Sequence, residues 1–138
     1  MDTHQISSAF VHGMAFNAHI NGHSVITDTT ADGGGNDEGP SPKRLMLASL
    51  AGCTGIDVVS ILNKMKVPFS DFSIDVWASL TEEHPKIYKE VKVTYRIRVA
   101  EADRAKMEKA VKLSDEKYCG VSAMFKAFAK VEHEVVYL

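Results

Sequence analysis

Apolar and polar positions alternate most cleanly in residues 88–99, YKEVKVTYRIRV. Val91, Val93, Tyr95, Ile97 and Val99 point one way and Lys92, Thr94, Arg96 and Arg98 the other, the period of a half-buried strand. Residues 70–80, SDFSIDVWASL, repeat the pattern with Phe72, Ile74, Val76 and Ala78, so the two stretches predict a long antiparallel pair. Residues 13–29, GMAFNAHINGHSVITDT, read as two short strands around Asn21-Gly22, a turn in which both residues tolerate positive φ. Residues 31–42, ADGGGNDEGPSP, read as a flexible loop; neither a Gly-Lys-Ser/Thr nor a GxGxxG spacing makes a phosphate cradle of it.

The pattern changes in LMLASLAGCTGIDVVSIL, residues 45–62, which is apolar on nearly every side. It predicts a helix over about 44–65, opened by Ser41-Pro42 and closed before Pro68, and buried on all sides. Such a helix is about 33 Å long, more than a small monomer can enclose, so a partner subunit is expected. Ala48 with Gly52 and Ala51 with Gly55 expose backbone for a close helix crossing near Cys53. Length alone would allow a membrane span, but Asp57, Ser49, Thr54 and Ser60 argue against one. Residues 101–113 carry acids early and lysines late, as a helix dipole prefers. A short helix over 120–130 and a closing strand VEHEVVYL complete the order ββ-α-ββ-αα-β, an α+β fold in one domain over residues 1–138.

Composition narrows the function classes. The chain has 138 residues, 45% hydrophobic and 25% charged, and a formal net charge of −2, which provides no field to select nucleic acid or an anionic membrane. No basic-then-apolar leader opens MDTHQISSAFVHGMAF, so the two cysteines are expected as reduced thiols in a cytoplasm.

Cys53 sits mid-helix in apolar surroundings with Asp57 one turn away, and both features disfavour a thiolate there. Cys119, in SDEKYCGVSAMF, stands where a helix begins, with Lys117 near, and reads as the better thiolate. If the two meet in space they can run a peroxidase cycle of sulfenic acid and disulfide. None of His4, His12, His19, His23, His84 and His133 pairs with a cysteine at a zinc spacing, so no metal or other cofactor is expected; His19 and His23 read as surface residues. Ser49 and Ser122 lack a nucleophile elbow.

Around both cysteines the chain resembles the OsmC and organic hydroperoxide resistance family. The segments that carry the resemblance are GPSPKRLMLASLAGCTGIDVVSIL and SDEKYCGVSAMF. The first is similar to the family's Asn/Ser-Pro start and Leu/Ala-rich helix reaching Ala/Gly-Cys, the second to its Tyr-Cys-Pro-Val segment. The resemblance implies an intertwined homodimer with sites at the subunit interface. It implies reduction of organic hydroperoxides to alcohols in oxidative-stress defence, with Cys53 peroxidatic, Cys119 resolving, and an external thiol reductant. This reverses the order that local chemistry gives the two thiols.

The chain departs from the family at the groups that activate the first thiol. Lys43 stands where the family has glutamate, and residues 1–42 contain neither Arg nor Lys to supply its arginine. Lys43, ten residues before Cys53 and about 15 Å along a straight helix, is a candidate replacement; Arg44, His19 and His23 are weaker ones. Gly120 replaces the family's proline. A subgroup with similar Gly-Pro-x-Pro and Cys-Thr-x-Ile-Asp motifs is the nearest resemblance. The alternative that these departures support is a dimer of the same fold that binds a small apolar ligand, or senses oxidants, without efficient turnover.

Overall fold

The computed structural model describes residues 1–138. The chain folds as two compact units, Met1–Met46 and Leu47–Leu138. It is a mixed α+β structure with two three-stranded sheets and three α-helices.

The first unit is a meander of β1 (Ser7–His12), β2 (Ala15–Ile20) and β3 (His23–Thr27) in the order β1-β2-β3. The sequence expectation of two strands misses β1, whose six residues are all exposed and carry no buried face to create a period. The β2–β3 turn does fall at Asn21-Gly22, with φ of 52° and 80°, the positive values that this tight turn demands. Gly13, at φ 56°, serves the β1–β2 turn.

The loop after β3 corrects a second expectation. It is organised around Asp28, which is 2% exposed and accepts main-chain N–H groups from Thr29 (2.7 Å), Asn36 (3.2 Å) and Glu38 (3.1 Å). Those bonds, the one from Glu38 foremost, hold its carboxyl below the usual range against the opposing effect of burial. The loop is therefore built around a buried carboxylate.

Helix α1 (Pro42–Lys64) begins in the first unit and continues into the second. By length and composition it could cross a bilayer. It is not buried on all sides: Leu50, Thr54, Val58 and Leu62 form one buried stripe of spacing four, while Ile56 is 73% exposed. Three of the small residues that suggest a helix crossing, Ala51, Gly52 and Gly55, line an open groove of about 750 Å³ together with Ile56, Phe72 and Ile74 among others.

The second unit pairs β4 (Ser70–Leu80) antiparallel to β5 (Tyr88–Arg98), as the alternation predicts, and β6 (Lys130–Tyr137) parallel to β5. A parallel neighbour requires a crossover. Here it consists of α2 (Arg104–Leu113), a π-helical turn (Ser114–Tyr118) and α3 (Gly120–Lys126). Val91, Val93, Tyr95 and Ile97 turn inward and join Leu50, Val58, Leu62, Met107, Ala110 and Phe125 in one core. The other face of the sheet carries the ion pairs Arg96–Asp75 (2.9 Å), Arg98–Asp71 (3.0 Å) and Lys92–Glu134 (2.7 Å), exposed pairs worth little individually.

Candidate active site

Two elements bring the cysteines together. α1 carries Cys53 beside its buried stripe and Asp57 one turn later, on the same side of the helix. The π-helical turn closes with the Cys119 N–H donating to the Ser114 carbonyl (2.8 Å), a five-residue step that α-helical geometry does not provide and that recurs at functional sites. The extra residue delivers Cys119 to α1. Its thiol donates to Cys53 Sγ at 3.1 Å, although 66 residues separate the two in sequence. Both are free thiols, Cys53 half-buried and Cys119 3% exposed.

Cys119 caps α3 and accepts the Ser122 N–H at 3.3 Å. That bond does not make it the ready thiolate that its place at a helix start suggests. Burial first, then its hydrogen bond to Cys53 and the charges of Cys53 and Asp57, push it up to about 11. The resolving role implied by the resemblance suits such a protonated, buried thiol.

Asp57 faces the pair. Its Oδ2 accepts the hydroxyl of buried Ser114 at 3.1 Å, and one carboxylate oxygen and both Sγ atoms lie within 4.8 Å of one another. Asp57 also lines a pocket of about 450 Å³ with Ile61, Met65, Leu113, Lys64 and Tyr118. Lys43 and Arg44 stand in the first turn of α1, within the first unit, where Arg44 donates to Ser41 Oγ at 3.2 Å. His19 and His23 are exposed at the β2–β3 turn, as expected of surface residues.

Sequence reasoning missed a polar network behind Cys119. Asp115 Oδ1 accepts from Ser122 Oγ (2.8 Å), Lys126 Nζ (2.7 Å) and His133 Nε2 (2.8 Å). Because Asp115 can only accept, neutral His133 carries its proton on Nε2, and its Nδ1 accepts from the Tyr95 hydroxyl at 2.9 Å. Burial raises the Tyr95 phenol far above its ordinary range, against a hydrogen bond with Thr54, so it stays a donor. The signal that could have found the network is the inward position of His133 in VEHEVVYL, where alternation puts it on the same face as Val131 and Val135.

Burial is the largest influence on His133 and lowers its pKa, opposed by Asp115. Burial tends to raise Asp115, but Lys126, Ser122 and His133 together hold it below the usual range. Below pH about 6.5 the unfolded chain protonates His133 before the folded one does, and below about 3.8 the same holds for Asp115. Both groups thus remove stability as pH falls. Thermal melts are expected to show Tm falling from pH 7 to pH 5, with a shallower fall in His133→Gln. An equal slope in wild type and variant would contradict this assignment.

The geometry can be set against known proteins. The sequence model described as OsmC-like protein matches residues 34–134. Protein YhfA of Escherichia coli (strain K12) is 30% identical over 125 residues, covering 90% of each chain. The crystal structure of a protein from Aquifex aeolicus VF5 is 31% identical with a TM-score of 0.82, covering 100% of this chain and 99% of that one. The organic hydroperoxide resistance protein OhrB of Bacillus subtilis shares the fold at 20% identity, with a TM-score of 0.64 and coverage of 98% of both chains. The matched family residues include both cysteines and the turn between them, and on that basis the chain belongs to the OsmC-like protein family.

Proposed function

We propose that this protein is a thiol peroxidase that reduces organic hydroperoxides to alcohols in cytoplasmic oxidative-stress defence. The observation that carries the reading is the 3.1 Å separation of Cys53 Sγ and Cys119 Sγ. Cys53, the less buried sulfur, attacks the distal peroxide oxygen. The O–O bond breaks, the alkoxide takes a proton and leaves as alcohol, and Cys53 becomes a sulfenic acid. Cys119 then attacks the Cys53 sulfur and the S–O bond breaks. Hydroxide leaves and becomes water with the proton that Cys119 gave up, and a disulfide remains. Closing to an S–S bond of about 2.05 Å needs about 1 Å of movement. An external thiol reductant restores both thiols by exchange. The apolar walls of the pocket beside Asp57, formed by Ile61, Met65 and Leu113, suit the organic part of the substrate.

The working unit in this reading is a homodimer. The support is the uncovered face of α1: Ile56 at 73% exposure above an open apolar groove.

One equivalent of an organic hydroperoxide added to reduced protein is expected to remove two hydrogen atoms from the intact mass. Peptide mapping should then recover Cys53 and Cys119 in one disulfide-linked fragment. Two free thiols after minutes would sink the peroxidase reading. That outcome would favour the second reading, a dimer that binds a small apolar ligand or senses oxidants without turnover. A specific observation supports this alternative: the residue facing the thiols is a carboxylate, Asp57, which opposes thiolate formation.

A further inference from the structure

The same carboxylate that is awkward for a nucleophile is suited to a cation. Cys53 and Asp57 share one side of α1, Cys119 reaches them from the π-helical turn, and three donor atoms converge within 4.8 Å. Two sulfurs and one oxygen are a donor set for a borderline-soft divalent ion, not for Mg²⁺ or Ca²⁺, which take oxygen alone. We propose that Cys53, Asp57 and Cys119 form a binding site for a divalent cation of the Zn²⁺ or Cd²⁺ class, one that disulfide formation empties.

The geometry is close to what such an ion needs. Zn–S bonds of about 2.3 Å in a tetrahedron set the sulfurs about 3.8 Å apart. The sulfurs lie at 3.1 Å, so they must part by about 0.7 Å, a shift that small χ1 rotations of two unbonded cysteines provide. The Ser114 hydroxyl donates to Asp57 Oδ2 at 3.1 Å, which orients the carboxylate and uses only one of its several lone pairs. Three protein ligands leave the fourth position to water, the pattern of exchangeable sites. Binding displaces the two thiol protons, because a coordinated sulfur is a thiolate, and the ion's charge offsets the mutual repulsion of three anionic donors.

The site and the disulfide exclude each other. Oxidation joins the two sulfurs, takes one electron from each and leaves Asp57 as the only donor. With a hydroperoxide as oxidant, the bound dithiolate, one peroxide molecule and two protons give disulfide, alcohol, water and the free ion.

The experiment uses the reduced, metal-free full-length chain and CdCl₂, followed by the thiolate-to-cadmium charge-transfer absorbance, with ZnCl₂ as competitor. One ion per chain is expected. Cys53→Ser and Cys119→Ser should each lose the band, and Asp57→Asn should bind about 10–100-fold more weakly. Protein oxidised with diamide should not bind. Zinc should also slow alkylation of Cys53 in the wild-type chain, a readout that needs no variant to fold. Absence of a saturable band, or unchanged alkylation with zinc, overturns the proposal. So does equal affinity in Asp57→Asn, which would reduce the site to a bare dithiol, or a band surviving in either serine variant. The titration contains no peroxide, so it stands apart from the peroxidase reading. Turnover without cadmium binding sinks this inference alone, and cadmium binding without turnover sinks the peroxidase reading alone.

Discussion

Cys53→Ser is expected to lower organic hydroperoxide consumption by on the order of 10⁴-fold or more, the scale of removing a covalent nucleophile. Cys119→Ser should behave differently. Its Cys53 can still attack peroxide once, so the intact mass should gain one oxygen atom as a sulfenic acid that a dimedone-type reagent traps. Turnover then stalls, because the buried partner that condenses with the sulfenic acid is gone. The asymmetry follows from burial: Cys53 is partly exposed and Cys119 is 3% exposed. A pH dependence follows as well. Burial, the first cause that pushes the Cys119 thiol up, persists after Cys53 is oxidised, so its thiolate fraction grows as pH rises from about 7 to about 10. The disulfide-forming step, followed by stopped flow after a single peroxide addition, should accelerate with pH over that range. A flat profile, or equal activity in both serine variants, would remove the assigned roles.

The second large effect concerns assembly. Ile56→Asp is expected to convert the proposed dimer to monomer in light scattering, with far-ultraviolet circular dichroism unchanged. Ile56 is 73% exposed within the chain, so a charge there costs the monomer little. Buried against a partner, an unpaired carboxylate would cost several kcal/mol, roughly the range measured for an uncompensated buried charge. If Ile56→Asp and wild type scatter alike as dimers, the interface lies elsewhere; if wild type is a monomer, the proposed assembly fails.

What could be read from the sequence follows from where a residue's partners lie. The strands β4 and β5 were plain because each has one buried face, so their pattern of alternate residues survives in the chain. Strand β1 was hidden because all six of its residues are exposed. The all-apolar pattern of α1 implies burial on every side, yet within the chain only the stripe of Leu50, Thr54, Val58 and Leu62 is fully covered; a sequence records that a surface is apolar, not which molecule covers it. The two cysteines could be singled out by their settings, but their ranking could not. A helix start favours a thiolate at Cys119, and its burial works against one. Asp57 is legible as one turn from Cys53, whereas the bonds among Ser122, Asp115, His133 and Tyr95 leave only one local trace, the inward parity of His133, because the partners lie across a crossover.

The glycine-rich stretch after β3 has a practical consequence for protein engineering. A run of glycines and acids usually recommends itself as the place to insert an affinity tag or a fluorescent label. Here the main chain itself is the structural material. Asp28 is saturated by three backbone donors from the loop, and a Cβ at Gly35 or Gly39 would run into the carbonyl of Thr29 or Ile26. Insertion tolerance is set by backbone bonding and space, not by residue type, so this segment belongs among the least permissive in the chain.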